Sequence, residues 1–311
     1  MRKRLLAAAV LTMVTLSGGT VFANPVELSG NVVIENRQEK MSNVDRDGTK
    51  YVFRLNAKTM VNENVTVFAR FGAESLTNES VGKDFVRTGK STGAIDQFGL
   101  IYKNGGFAYK LGRQDLFLGS GILFDNTANI GRNYFLDGLT ISGKSGETSL
   151  FAAALQEDNT GSNDNKIYAL RAGFSPAKNV TLGATFAKYD YADSTGDVNF
   201  GAIDGSYTKG KASFYADYAK SDAAAKNTAY SVGVAYNFDG VNSVSLYNYK
   251  VEANASINGW TTWWGNEKGY WYTFNHKIDP NTTVGLAMRD GNQIDNGNDK
   301  KSFRTTVTYK F

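Results

Sequence analysis

Along most of this chain apolar and polar side chains take turns, and a period of two admits only a β-strand with two chemically different faces. Tyr51, Phe53, Leu55 and Ala57 alternate with Lys50, Arg54, Asn56 and Lys58, Val52 being the exception. Val65, Val67, Ala69 and Phe71 oppose Thr66, Arg70 and Glu74, and Phe98, Leu100 and Tyr102 oppose Gln97, Gly99 and Lys103. The pattern persists through Tyr168–Phe174 and Tyr230–Phe238 to the end, where Phe303, Thr305, Val307, Tyr309 and Phe311 oppose Ser302, Arg304, Thr306 and Lys310. Phe68, Phe151 and Leu155 break it, since the parity of their strands turns them toward water; a one-residue shift of the strand holding Phe151 and Leu155 is left open.

Connections between these segments alternate in length. Short ones fall at Val61–Asn64, Asn104–Gly106, Lys144–Glu147, Pro176–Asn179, Thr208–Lys211, Asp239–Asn242 and Asp279–Thr282, most with the Gly, Asn, Asp or Pro of tight hairpins. Longer polar ones fall at Gln38–Gly48, Leu76–Gly93, Asp115–Phe135, Asp158–Asn165, Asp190–Asp197, Asp222–Asn227, Glu252–Glu267 and Asp290–Asp299. Seven short and eight long connections imply sixteen antiparallel strands with both termini on the short-turn side. The expected fold class is therefore all-β, a transmembrane antiparallel barrel with short periplasmic turns and long outer loops.

A soluble sandwich or propeller also alternates, with one face toward a core. Strands of about ten residues are long for a sandwich, whose strands usually run ~5–6, and aromatics gather at strand ends, as at Tyr236 and Phe238 or Tyr309 and Phe311. Such pairs suit the interfacial girdles of a membrane barrel. The one long apolar run, Leu5 to Leu16, follows Arg2, Lys3 and Arg4 and precedes Val21-Phe22-Ala23, so residues 1–23 read as a cleaved signal peptide and 24–311 as one barrel domain. The run is too short for a spanning helix, which needs ~17 residues. Without that segment 31 basic residues stand against 30 acidic ones, a balance that argues neither for nucleic acid nor for an acidic surface.

Leu111-Gly112-Arg113-Gln114, a long third outer connection and a final Tyr309-Lys310-Phe311 are local marks on this architecture. With them the whole mature chain resembles the general porins of Gram-negative outer membranes. The resemblance implies a homotrimer in outer-membrane lipid and lipopolysaccharide, with a second outer loop reaching a neighbouring subunit and an in-folded third loop. It also implies that the barrel assembly machinery reads the terminal strand through Phe311. Asp115–Phe135 is the longest connection at 21 residues and Leu76–Gly93 is next at 18, in keeping with those roles. The acidic signature of such constriction loops is missing: Asp125 is the loop's one internal acid, with Asp115 and Asp137 at its hinges.

A barrel of this size encloses water rather than a packed core. The expected function is passive diffusion of small hydrophilic solutes and ions, with no cofactor. A substrate-selective channel for sugars or anions, and a structural or adhesive barrel without an open pore, are the other readings. Parity places Arg54 and Arg70 in the lumen, Arg304 beside them through closure of the barrel, and Lys58 lower down, interrupted by Glu27 and Glu35. Asp115, Asp125 and Arg132 on the third loop complete the expected constriction, a transverse field arising if Asp125 faces the basic arc. The single histidine, His276, is expected on the lipid side near a periplasmic turn, away from any outer-rim catalytic position, so an enzyme is not expected. One histidine and no cysteine offer no zinc ligand set. Trp260, Trp263 and Trp264 are expected at the outer interface or a subunit contact, with stacking on a sugar as the other reading.

Overall fold

Each segment of alternating residues pairs with the next along the chain, and the last returns to the first. The computed structural model describes residues 24–41, 44–78, 91–131, 134–158, 163–192 and 196–311. The proposed signal peptide, most of the second outer connection and Arg132 therefore lie outside the described residues. Sixteen strands close an antiparallel barrel. They are β1 (Glu27–Met41), β2 (Val44–Met60), β3 (Val65–Leu76), β4 (Ser91–Asn104), β5 (Phe107–Gln114), β6 (Leu136–Ser145), β7 (Thr148–Gln156) and β8 (Lys166–Ala177). The second half comprises β9 (Val180–Asp190), β10 (Asp197–Lys209), β11 (Ala212–Ser221), β12 (Thr228–Asn237), β13 (Asn242–Val251), β14 (Glu267–Lys277), β15 (Thr282–Gln293) and β16 (Asp299–Lys310).

The short turns stand where the sequence places them, and their chemistry is explicit. Gly105 and Gly106 both take positive φ, 57° and 82°, as a two-residue hairpin requires. In two other turns an aspartate collects backbone N–H groups: Asp239 accepts from Val241 and Asn242, and Asp279 from Asn281 and Thr282. The first outer connection differs from expectation. Gln38–Gly48 is almost all strand, with β1 running to Met41 and β2 starting at Val44. Its polar residues pair across the ladder by charge, Glu39 opposite Arg46 and Lys40 opposite Asp45, which favours strand over loop.

Closure joins β1 to β16 from Asn31–Lys310 to Met41–Lys300. Gly30 and Phe311 add one backbone hydrogen bond in each direction, 2.9 and 3.1 Å. The Phe311 ring stacks on Phe53 at 6.1 Å.

Outside, the wall is apolar: Leu170 and Ile203 are each 62% exposed and Phe186 54%. Inside, the buried apolar residues form a core from the third loop and the inward faces of β7–β13. Leu118, Ile122, Leu123 and Phe124 of the loop pack against Leu155, Ile167, Ala187, Tyr189, Ala219 and Tyr249. The exceptions to alternation thereby acquire a cause. Leu155 belongs to this core, Phe151 packs against it, and Val52 packs against Ile130 of the same loop. Phe68 is buried, with the Lys110 ammonium 5.0 Å from its ring centre. The strand holding Phe151 and Leu155, β7, is paired without a register break on either side.

Candidate functional site

The third loop, between Gln114 and Leu136, lies in the lumen because its apolar residues have nowhere else to be dry. A two-residue ladder, Phe117–Leu118 with Phe124–Asp125, folds it into a hairpin. At its tip Ser120 donates to Asp217 on β11, 2.6 Å. Its other flank is held by a bulge. Between Arg70–Gln97 and Phe71–Ile95 the β3–β4 register skips Asp96, which turns fully buried into the barrel. Asp96 takes two hydrogen bonds from Arg70, 2.8 and 3.0 Å, and one from the Gly131 backbone, 2.9 Å.

The seventh outer connection enters the barrel as well. Its backbone meets the third loop at Ile257 N–Leu123 O, Asp125 N–Trp260 O and Thr262 N–Gly121 O, 2.9–3.0 Å. Trp260 stacks on Phe124, and Trp263 is buried against Tyr249. Trp264 faces Arg289, whose guanidinium carbon is 4.4 Å from its ring centre. The tryptophans thus sit neither at a bilayer interface nor on the outside. Their rings cover the apolar and cationic groups of a lumen that the third loop does not fill alone.

What remains open is a cavity of about 750 Å³ between the two loops and the wall formed by β1, β2 and β14–β16. Its charged lining is Glu35, Arg37, Lys50, Arg54, Asp125, Arg289 and Arg304, five cations against two anions. Of the expected arc, Arg304 and Arg54 meet on this wall, Arg304 opposite Arg37 and Arg54 opposite Asn31 on the same strand, while Arg70 is not in the lining and Arg37 takes its place. Glu35 is committed to Arg37, 2.6 and 2.9 Å. Asp125 lines the same cavity, and both its oxygens are bonded, to the Thr127 N–H and hydroxyl and to the Thr262 hydroxyl at 2.6 Å.

The sequence-selected residues divide accordingly. Arg54, Arg304 and Asp125 line the cavity. Arg54 also donates across the lumen to the Ala128 carbonyl. Arg70 is buried, held by Asp96 and stacked under Phe135 at 4.5 Å, so it fixes the loop instead of meeting solute. Lys58 is exposed near the turn end, opposite Glu27. Asp115 pairs with Lys110, 3.3 Å. Arg37 could have been found by continuing the inward parity of Glu27 and Glu35 by one more step along β1. Arg289 could have been found by extending to β15 the parity that sends Leu286 and Met288 outward. His276 sits near the turn end, its Nδ1 2.8 Å from the Asn242 side-chain oxygen.

No family model and no curated protein matches the chain. Solved structures do. A variant of the Rhodopseudomonas blastica porin superposes with TM-score 0.65 at 12% identity, covering 92% of this chain and all of that one. The Salmonella typhi OmpF complex with daunomycin gives 0.65 at 15% identity, covering 93% and 98%. The chain has the porin fold. Within it the in-folded third loop is where the resemblance placed it, while the entry of the seventh loop follows from this chain's own tryptophans and threonines. The porin fold also agrees with the outward apolar wall: the barrel is a multi-pass one whose exterior calls for lipid.

Proposed function

We propose that this protein is an outer-membrane porin, a water-filled channel through which small hydrophilic solutes and ions diffuse passively. The observation that carries the reading is the pairing of an apolar exterior with a charged interior cavity. Hydrocarbon solvates the first, and only water and polar solutes can occupy the second. No reacting group is needed, and the barrel is read as a conduit, not an enzyme. Its narrowing is set by the third and seventh loops, with Arg37, Arg54, Arg289 and Arg304 on the wall opposite the third loop.

The same reading places the protein in the outer membrane as a homotrimer, assembled through the terminal strand ending in Phe311. Outward lysines support contact with lipopolysaccharide phosphates. Lys166, Lys220 and Lys268 are exposed at the loop end, each two residues beyond an outward tyrosine: Tyr168, Tyr218 and Tyr270. That order, aromatic then cationic, matches the passage from hydrocarbon edge to headgroup.

Planar-bilayer recording tests the channel. Purified protein gives stepwise ohmic conductance, with sublevels in threes for a trimer. Electrically silent bilayers, despite verified insertion, would refute it.

A further inference from the structure

We infer that the channel wall at β15–β16 carries a saturable binding site for a small oxyanion, a carboxylate or phosphate group, centred on Arg289 and Arg304. The inference rests on the open-channel reading and deepens it, turning one wall of the conduit into a recognition surface.

Arg289 is 4% exposed, lies against the Tyr249 hydroxyl, and through Nη2 has the Thr262 carbonyl, 2.8 Å, as acceptor. Its Nε and Nη1 have none, and neither does Nε of Arg304. Among the described residues no carboxylate oxygen lies within 4.0 Å of Arg289, and its acidic neighbours at longer range are Glu267 and Glu39. Glu267, on the neighbouring strand, is taken by the Lys300 ammonium at 3.0 Å and by the Tyr249 hydroxyl. The nearest acid to Arg304 is Glu39, 3.9 Å away and shared with Arg37 at 3.3 Å. The cations lean instead on indole rings: Arg289 lies 4.2 Å from Trp271, and Arg289, Lys300 and Arg304 lie 4.4, 4.1 and 5.6 Å from Trp264.

Aromatic faces offset part of a guanidinium's lost hydration but accept none of its in-plane hydrogen bonds. A buried N–H left without an acceptor is costly, and cations gathered on one wall repel one another. An oxyanion relieves both, because its two or three oxygens match the guanidinium fork. The site opens on the channel cavity, so a solute can reach it without leaving the aqueous path.

All four tryptophans of the protein lie in the seventh outer connection and β14, and Trp264 and Trp271 touch Arg289, so intrinsic emission reports on the site. The test combines two readouts on the intact protein, with succinate and inorganic phosphate as probes and chloride at matched ionic strength as control. In bilayers, either probe reduces chloride current along a saturating curve, and Arg289→Lys and Arg304→Gln each raise the half-blocking concentration about tenfold, the equivalent of about 1.4 kcal/mol. In detergent, the same probes change tryptophan emission with matching midpoints, which Trp264→Phe diminishes. Block by one probe alone identifies carboxylate or phosphate as the favoured form. Normal conductance without block or emission change overturns the site and leaves the channel standing. Saturable emission change in a non-conducting protein upholds the site and refutes the channel, and failure of both readouts removes both.

Discussion

Arg70 and Asp96 meet through two parallel hydrogen bonds across the β3–β4 bulge, and the same carboxylate holds the Gly131 N–H of the in-folded loop. An ion pair thus joins wall and loop at a point where Asp96 is fully buried and Arg70 nearly so. Arg70 adds a bond to the Asn129 carbonyl, 3.2 Å. Both loop contacts depend on Asp96 being the extra residue in its strand, since an unbulged strand would turn it outward.

Asp96→Asn leaves Arg70 buried beside a neutral partner, a class of change that costs about 3–5 kcal/mol. The loop flank loosens, and single-channel records show increased current noise and a larger mean conductance. Replacing both residues, Arg70→Met with Asp96→Leu, recovers much of the thermal stability lost in the single variant. Additive losses in that double-mutant comparison would show that the two residues act independently.

The strand pattern and the seven turns were legible because each has a local cause, alternation and turn chemistry, whereas the in-folded third loop was expected from the family resemblance and the length of the connection. What stayed hidden has a nonlocal cause. Val52, Phe68 and Leu155 violate alternation in their own strands, and only the loop lying against Val52 and Leu155 shows why. Trp263 and Trp264 read as interfacial because tryptophan in an outer loop of a barrel ordinarily meets lipid headgroups. Their partners, Tyr249 and Arg289, lie on different strands, and no spacing in the sequence announces the meeting. Arg70 was correctly assigned to the inside but not to the loop's anchor, since the bulge at Asp96 is invisible without the pairing register.

Ion preference follows from the cavity lining. Five cations against two anions leave the lining net positive, so chloride is expected to outrun potassium. Removing one unit charge about 4 Å from a permeating ion changes its energy by about 1 kcal/mol even in water, about fivefold in relative occupancy. Arg54→Ala therefore shifts the reversal potential in a salt gradient toward cation permeability by several-fold, whereas Lys58→Ala, near the turn end, changes it little. Equal shifts for the two variants would place the selective point elsewhere.

Acid acts on the seventh loop through Glu252. The Lys250 ammonium, with the Thr228 N–H and hydroxyl, lowers its carboxyl from 4.5 to about 2. A carboxyl depressed in the folded state stabilises fully above its unfolded value and loses that contribution as pH falls through the folded one. The hinge at Glu252 is thus intact above about pH 4.5 and released between there and about pH 2. Emission from Trp260, Trp263 and Trp264 follows that window in detergent, and Glu252→Gln removes the component. A transition near neutral pH, or one unchanged in the variant, would assign it to other groups.

The closing seam depends on a missing side chain. A Cβ placed on Gly30 would come within 2.8 Å of the Phe311 ring and nearer still to the Arg54 carbonyl, so any larger residue pushes β1 away from its neighbours where the two ends of the chain must meet. Gly30→Val forfeits the two backbone bonds to Phe311 and the Phe53–Phe311 stack, the latter alone worth about 0.5–1.5 kcal/mol beyond burial. Phe311→Ala removes the stack but leaves the backbone bonds, and should cost less. The unfolding temperature in detergent, read by the change in electrophoretic mobility on heating, falls for both variants and further for Gly30→Val. The reverse order would show that the ring, not the backbone fit at Gly30, holds the barrel shut.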